Sequence, residues 1–355
     1  MTTDYLKVLL VTLTAMTVLM TSCEEMDNEP EITAKNLKGI FVVCEGSFGK
    51  ANGDISFRSS GTFQTVKNLF STVNGHPLGD VVQSFEIVDT LGFIAVNNSQ
   101  KITVVNLKDF KTIRSITGFS YPRSMVRADK NSIYVSNGNG YSGNYIYKID
   151  LKTLTKTDSL PVATGPEKLI AVNSRVYAAI AGGWNNDGKT VLEIDPATFK
   201  VVNTFAVASV PIDLAADKNN NVWVYCRGEA KYDASWNVTY SKMGICRINS
   251  STKEVTTFPL SSMSASGLNN LAVSKDGIMV YFLNDGLFAM PVNSTALPTT
   301  KLVNALFYGM DTDPQSGNIV CLDAIASKAV VYDASGTEQY SFETATYPNS
   351  VIFSY

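Results

Sequence analysis

The sequence holds a single histidine, His76, and five cysteines in 355 residues. One histidine excludes a histidine-rich metal centre. It also leaves His76 as the sole imidazole for any Ser-His-Asp or Cys-His arrangement. No CxxC pair and no Cys/His cluster offers a metal site. Charge of one sign is missing too: a net charge of −3 gives no basic footprint for nucleic acid. Long hydrophobic runs are absent. The run from Val8 to Met20 is short and threonine-rich, against the roughly 20 apolar residues a membrane-spanning helix needs. No long segment carries a helical period.

What is present is a repeat. Tyr121-Pro122-Arg123-Ser124-Met125-Val126, Ser132-Ile133-Tyr134-Val135, a Gly/Asn loop, Tyr145 to Asp150 and Thr153 to Lys156 form one copy. Gly165-Pro166-Glu167-Lys168-Leu169-Ile170, Arg175-Val176-Tyr177-Ala178, another Gly/Asn loop, Val191 to Asp195 and Thr198 to Val201 form the next. Each copy reads as four short alternating strands. A four-strand repeat of about 40–50 residues is the signature of a β-propeller blade.

The turn between the third and fourth strands marks each blade. It begins at Arg58, Asn106, Asp150, Asp195, Asn249, Asn293 and Asp333, with spacings of 48, 44, 45, 54, 44 and 40. Asx, Ser and Thr recur there because their side chains cap tight turns. Seven markers, each expected to lie between two strands, imply an all-β, seven-bladed propeller. The long spacing comes from an insertion, Arg227 to Lys242. Blade one lacks its own innermost strand, and the C-terminal Tyr347-Pro348-Asn349-Ser350-Val351-Ile352-Phe353 reads as the start of a blade. The last strand is therefore expected to complete blade one, which removes exposed sheet edges.

The ends divide the chain into three parts: a signal peptide over 1–22, an acidic flexible tether over 23–37, and the propeller over 38–355. Lys7, the apolar run and Thr21-Ser22-Cys23 read as an export signal. Ser22-Cys23 resembles the lipobox of bacterial lipoproteins, which implies lipidation at Cys23 and membrane attachment through that anchor only. The alternative is a plain secretory signal with an incidental cysteine. The tether Glu24 to Glu31 resembles the acidic signal that sends lipoproteins of Bacteroidota to the outer face of the outer membrane; otherwise it is a solvated spacer. Cys44, Cys226, Cys246 and Cys321 sit in strand-like runs and read as buried thiols. Cys226 and Cys246 lie in presumed partner strands, so a bridge between them stays open.

Propeller geometry puts the marker turns on one face. The inter-blade loops and the loops after the second strands lie on the other, where varied loops carry function. That face is expected to hold Glu45 to Phe48, His76, Asn97 to Ser99, Gly138 to Tyr141, Gly182 to Asp187, the insertion with Tyr232, Trp236 and Tyr240, and Asn284 to Gly286. It also takes Tyr121, Arg123, Lys168, Asp213, Asn269, Tyr308, Asp323 and Tyr347. Tyr141, Trp184, Trp236 and Arg123 are the expected ligand contacts, since aromatic area with polar donors suits a large, partly polar ligand. The alternative for each is an ordinary loop or rim residue. Glu45, Glu167, Asp213 and Asp323 are the carboxylates placed to meet around the channel. With one histidine and no metal cluster, neither catalysis nor a cofactor is expected.

Phe41-Val42-Val43-Cys44-Glu45-Gly46-Ser47-Phe48-Gly49, with Asn52-Gly53, Ile55-Ser56-Phe57 and Asp80 to Ser99, resembles the YncE-like propeller lipoproteins of Bacteroidota. Cys44 departs from the pattern, standing where a small polar residue is expected. The BtuG-type proteins of that group are seven-bladed propellers that capture cobalamin for a TonB-dependent transporter. The resemblance implies a surface-exposed outer-membrane lipoprotein that binds a corrinoid and passes it to such a transporter, monomeric outside that complex. Glycan capture and a protein-interaction module without a small ligand are the other classes. If Cys23 is the anchor, Cys23→Ala releases the protein from membranes into the soluble fraction; a variant that stays in the membrane fraction counts against lipidation there.

Overall fold

The structure is a computed structural model that describes residues 37–138, 143–261 and 270–355. The chain divides into two units, residues 1–34 and 35–355, and all described residues belong to the second. Cys23 and the signal and tether segments up to residue 36 lie outside the described residues, as does Tyr141.

Seven antiparallel sheets follow one another along the chain. Blade 2 is Val82–Val88, Leu91–Val96, Lys101–Asn106 and Thr112–Ile116. Blade 3 is Pro122–Arg127, Ser132–Asn137, Tyr145–Asp150 and Thr155–Pro161, and blade 4 is Pro166–Val172, Arg175–Ile180, Thr190–Asp195 and Lys200–Ala206. Blade 5 is Pro211–Ala216, Val222–Cys226, Gly244–Ile248 and Val255–Pro259. Its second and third strands are joined by a separate hairpin, Glu229–Tyr232 and Val238–Ser241, which is the insertion. Blade 7 is Gly309–Thr312, Ile319–Asp323, Lys328–Tyr332 and Glu338–Glu343. The first strand of each blade packs against the first strands of its neighbours, so the seven surround an axial channel.

Blade 1 closes the ring. The C-terminal strand Pro348–Ser354 pairs antiparallel with Gly39–Cys44, from Gly39 opposite Ser354 to Cys44 opposite Pro348, and Asp54–Ser59 and Thr65–Val66 complete the sheet. This is the closure the sequence implies. Blade 6 departs from expectation. It has three strands among the described residues, Leu271–Val273, Met279–Leu283 and Leu287–Pro291. The marker Asn293 to Leu297 is not followed by a fourth strand. Instead Val303 makes an isolated bridge to Leu287 and covers the outer edge.

The burial pattern explains the elements. Each second strand is sandwiched between neighbouring blades, so Gly39–Cys44 and Ser132–Asn137 are buried at every residue. The fourth strands face water, as in Thr112–Ile116, where only Ile116 is buried. Apolar clusters lie between blades; one joins Phe93, Ile102 and Val104 of blade 2 to Met125, Ile133 and Val135 of blade 3. The marker turns behave as their composition requires. Asp150 Oδ1 accepts the N–H of Lys152 at 3.1 Å and of Thr153 at 2.7 Å, and Asp333 Oδ1 accepts from Ser335 at 2.9 Å. The fifth residue of the turn is left-handed at Phe110, Leu154 and Phe199, with φ of 55°, 54° and 53°. Burial of the Phe110 side chain offsets the cost of that conformation. Cys44, Cys226, Cys246 and Cys321 are buried free thiols. Cys44 fits its position by hydrogen-bonding Ser56 Oγ at 3.4 Å.

Closure sets the first structural test. The last strand contributes a ladder along Gly39–Cys44 and buries Val351, worth about 1.5–3 kcal/mol for that side chain alone. Domains hold only roughly 5–15 kcal/mol in total. Deleting residues 346–355 should abolish cooperative unfolding at the parent temperature, as read by calorimetry; an unchanged transition overturns the closure energetics.

Candidate functional site

Two positions of the repeat build the mouth of the channel. The first is the residue after the second strand: Glu45, Asn97, Gly138, Ala181 and Arg227 in blades 1 to 5. In each case its N–H donates to the carbonyl of the residue before the inner strand, Tyr347, Val81, Tyr121, Gly165 and Val210 in turn. Four of those acceptors are left-handed, with φ of 55° at Tyr347, 56° at Val81, 69° at Gly165 and 60° at Val210. For a β-branched valine that conformation is costly. It turns the chain from one blade into the inner strand of the next.

The second position is the second residue of the inner strand: Asn349, Gln83, Arg123, Glu167 and Ile212 in blades 1 to 5. In blades 2 to 5 the ladder register shifts across this residue, for instance between Pro122 and Met125 and between Pro166 and Leu169. A bulge re-aims the side chain it carries. Arg123 and Glu167 sit in two adjacent bulges, and Arg123 Nε donates to Glu167 Oε2. Their side chains are only 19% and 13% exposed.

Groups from five blades converge here. Glu45 Oε1 accepts Asn349 Nδ2 at 2.9 Å, and the Tyr308 hydroxyl lies beside the same carboxyl. Arg227 Nη2 donates to Asn186 Oδ1 at 2.7 Å. The Arg123 charge acts on Glu45, Glu167 and Tyr308, and the Arg227 charge acts on Glu167 and Tyr308. Burial raises the Glu45 and Glu167 carboxyls above their ordinary range, with Arg123 opposing the rise at both. Burial likewise raises the Tyr308 phenol, reinforced by the Glu45 charge.

Below the mouth, a cavity of about 500 Å³ runs along the inner strands. Phe85, Met125, Leu169 and Met310 give it apolar walls, while Glu86, Lys168 and Asp311 give it charge. Lys168 Nζ lies 3.6 Å from Asp213 Oδ1, and Asp213 Oδ2 accepts the N–H of Asn270 and Leu271 at 2.6 and 2.8 Å. Glu86 Oε1 accepts the N–H of Arg127 at 3.1 Å. Burial pushes Glu86 up to about 7 and Asp311 up to about 6.

The expected site residues separate into two groups. Arg123 lies at the mouth. Trp184 stands on a one-turn 3-10 helix, Gly183–Asn185, 63% exposed. Trp236 stands at the tip of the blade 5 hairpin, 82% exposed, with its ring centroid 6.1 Å from that of Tyr232. The Asp233 carboxylate holds that tip by accepting the N–H of Ser235 and Asn237 at 2.8 and 2.9 Å. Of the four carboxylates, Glu45 and Glu167 share the field of Arg123. Asp323 does not join them: it caps its own loop by accepting the N–H of Ala326 at 2.8 Å. His76 packs edge-on against Phe70, at 5.4 Å. Arg227, Glu86 and Asp311 were not singled out as site residues by sequence reasoning. The signal for Arg227 is positional: it occupies the same place after a second strand as Glu45 and Asn97.

The chain matches the model of the DUF5074 family, described as a domain of unknown function, over residues 38–353, and it belongs to that family. No curated protein matches it. Among solved structures, a functionally unknown protein from Desulfotomaculum acetoxidans superposes with a TM-score of 0.66 at 14% identity, covering 89% of this chain and 98% of that one. A quinoprotein alcohol dehydrogenase-like protein from Bacteroides thetaiotaomicron gives 0.64 at 15% identity, covering 89% and 78%. The extracellular domain of a putative one component system from the same organism gives 0.60 at 14% identity, covering 85% and 41%. At these identities the likeness is one of fold.

The channel carboxyl Glu86 gives a pH-dependent prediction. Its folded value of about 7 lies above the ordinary 4.5. Ionisation therefore opposes folding above pH 7, and the penalty is relieved as pH falls through 7 towards 4.5. Glu86→Gln keeps an acceptor for the Arg127 N–H and removes the charge. Denaturant unfolding should show it more stable than the parent at pH 8, by on the order of 1–3 kcal/mol, with the gain fading by pH 5. An equal effect at both pH values overturns this assignment.

Proposed function

We propose that this protein is a surface-displayed binding propeller. It captures a large soluble nutrient, a corrinoid such as cobalamin, on its variable face and delivers it to a TonB-dependent transporter of the outer membrane. The observation that carries the reading is one face combining a rigid polar floor with exposed apolar side chains. The floor is Arg123, Glu167, Glu45, Tyr308 and Arg227, fixed by strand ends and bulges. Phe48, Trp184, Tyr232, Trp236 and Tyr347 stand exposed on loops of the same side. Among the described residues the opposite face carries the capped turns, with Phe63 and Ile278 exposed on two of them. A corrinoid is broad, rigid and edged with amides and apolar carbons. It suits a preformed surface that contacts both kinds of group at low ordering cost. The resemblance of Phe41 to Gly49 and Asp80 to Ser99 to YncE-like lipoproteins supports the ligand class and the transporter partner. Similarity to an extracellular domain from Bacteroides thetaiotaomicron accords with a place outside the cell.

We read the mouth as binding rather than catalytic. Its carboxyls are engaged by Arg123, Asn349 and Tyr308. Glycan capture is the second reading, favoured by the exposed Trp184 and Trp236, since flat aromatic faces stack on sugar rings. Calorimetric titration with cyanocobalamin, cobinamide and a glycan panel separates them. Saturable corrinoid binding that weakens on Trp184→Ala is the expected outcome. Saturable binding of a glycan with none of either corrinoid transfers the assignment.

A further inference from the structure

The insertion of blade 5 leaves and re-enters its sheet between two cysteines. Cys226 ends the second strand, Val222–Cys226, and Cys246 lies in the third, Gly244–Ile248. The hairpin that carries Trp236 occupies the chain between them. In the antiparallel register Cys226 stands opposite Gly244, and Cys246 stands opposite Val224. Residues two apart on a strand share a face, and so do residues directly opposite. The two cysteines are therefore diagonal neighbours on one face, and Gly244 presents no side chain against them. Both belong to one buried apolar cluster with Val224 and Ile248. Their sulfurs converge. The Ala208 N–H donates to Cys246 Sγ at 3.4 Å and also lies beside the Cys226 thiol. The two thiols lie beside each other as well. Strand twist shortens one diagonal of a pair and lengthens the other, and this convergence marks theirs as the shortened one.

Cys44 and Cys321 provide the contrast. They sit in separate apolar clusters, and Cys44 Sγ hydrogen-bonds Ser56 Oγ. Burial pushes both of those thiols up. At Cys246 the balance is reversed: the Cys226 thiol and the Thr257 hydroxyl hold it below its ordinary value. A larger thiolate fraction favours attack on a disulfide. In the finished fold both cysteines of the pair are fully buried. Their oxidation therefore belongs to the stage of folding when the blade 5 sheet has formed and the neighbouring blades have not yet covered it.

We infer that Cys226 and Cys246 are a disulfide site, closed during folding by exchange with a disulfide oxidant, and that the bridge clasps the base of the blade 5 insertion. The Cys246 thiolate attacks the S–S bond of the oxidant, releasing one thiol and leaving a mixed disulfide. The Cys226 thiolate then displaces the second thiol. Two protein S–H bonds and one oxidant S–S bond break, one protein S–S bond and two oxidant S–H bonds form, and two electrons pass to the oxidant. The bridge ties together the two strands from which the hairpin departs, so the support beneath Trp236 is fixed before a ligand arrives. The capacity to bridge rests on the geometry of blade 5. Its occurrence in cells rests on the reading that the chain is exported, where such oxidants act.

The test refolds the reduced, unfolded full chain in a buffer of oxidised and reduced glutathione. Remaining thiols are alkylated with iodoacetamide under denaturing conditions. The sample is then reduced, labelled with N-ethylmaleimide and mapped by peptide mass spectrometry, which reads each cysteine separately. The expected result is loss of iodoacetamide labelling at Cys226 and Cys246, which carry the maleimide instead, and recovery of their two peptides joined when the reduction step is omitted. Cys44 and Cys321 should carry iodoacetamide. Cys226→Ala should return Cys246 to iodoacetamide, and Cys321→Ala should leave the bridge intact. The map of the parent chain is decisive by itself, so a variant that folds poorly does not spoil the test. Iodoacetamide on both Cys226 and Cys246 of the parent, or a bridge from either of them to Cys44 or Cys321, overturns the inference. The same map is made on protein taken from the cell envelope without reductant. A bridge in both samples supports the site and the export reading together. A bridge in glutathione with a reduced pair in the cell-derived protein upholds the site and sinks the export reading alone.

Discussion

The inner strands of a propeller are sheet edges turned towards the axis, and their polar groups face a channel rather than another strand. Here the structure depends on how those edges are tied to one another. The third residue of the inner strand does much of this. Ser84 Oγ donates to Arg123 O at 2.6 Å, Ser124 Oγ accepts the Leu169 N–H at 3.1 Å, and Asp213 accepts two N–H groups from blade 6. Lys168, the equivalent residue of blade 4, reaches Asp213. Between blades 1 and 2 the tie comes from Asn349, whose Nδ2 donates to Val82 O and Gln83 O. Each tie is buried or nearly so, where an unmade hydrogen bond costs most.

This stitching makes the mouth rigid and also sets its chemistry. Because the third residue is committed to the neighbouring blade, the second residue, lifted by its bulge, is the one released towards the opening. Arg123 lies beside a stitching Ser124, and Glu167 beside Lys168. A charged group on such a support loses little freedom when a ligand arrives. The same logic accounts for the raised carboxyls. Glu45, Glu167 and Asp213 are held where water is scarce, and their neighbours supply only part of the lost solvation.

Much of the fold was legible in the sequence because it is written in side chains that act locally. Asp150, Asp195 and Asp333 cap turns within three or four residues of themselves, so seven turns could be counted. The unbroken apolar run in Gly39–Cys44 follows from burial on both faces. Closure was legible because Tyr347-Pro348-Asn349-Ser350 repeats Tyr121-Pro122-Arg123-Ser124. Blade 6 was read as complete because its turn is complete; the missing fourth strand depends on Val303 bridging Leu287, a contact between residues 16 apart in sequence that no local pattern announces. Arg123 was found at the mouth, but its ion pair with Glu167 of the next blade was not. Those two residues are brought together by ring geometry alone.

The uneven legibility of fold and site has a physical origin in one backbone bond. The residue after the second strand is anchored by its own N–H to the carbonyl of the inter-blade residue, and this bond is indifferent to the side chain. Glu45, Asn97, Gly138, Ala181 and Arg227 occupy it as acid, amide, glycine, alanine and base without altering the blade. The marker turns have no such freedom, since there the side chain is the cap. One face of the molecule is thus constrained residue by residue, while the other accepts any side chain on a fixed frame. A sequence therefore reports the constrained face directly. The variable face becomes readable only when equivalent positions are taken together around the ring, which is where Arg123, Glu167, Glu45 and Arg227 emerge as one group.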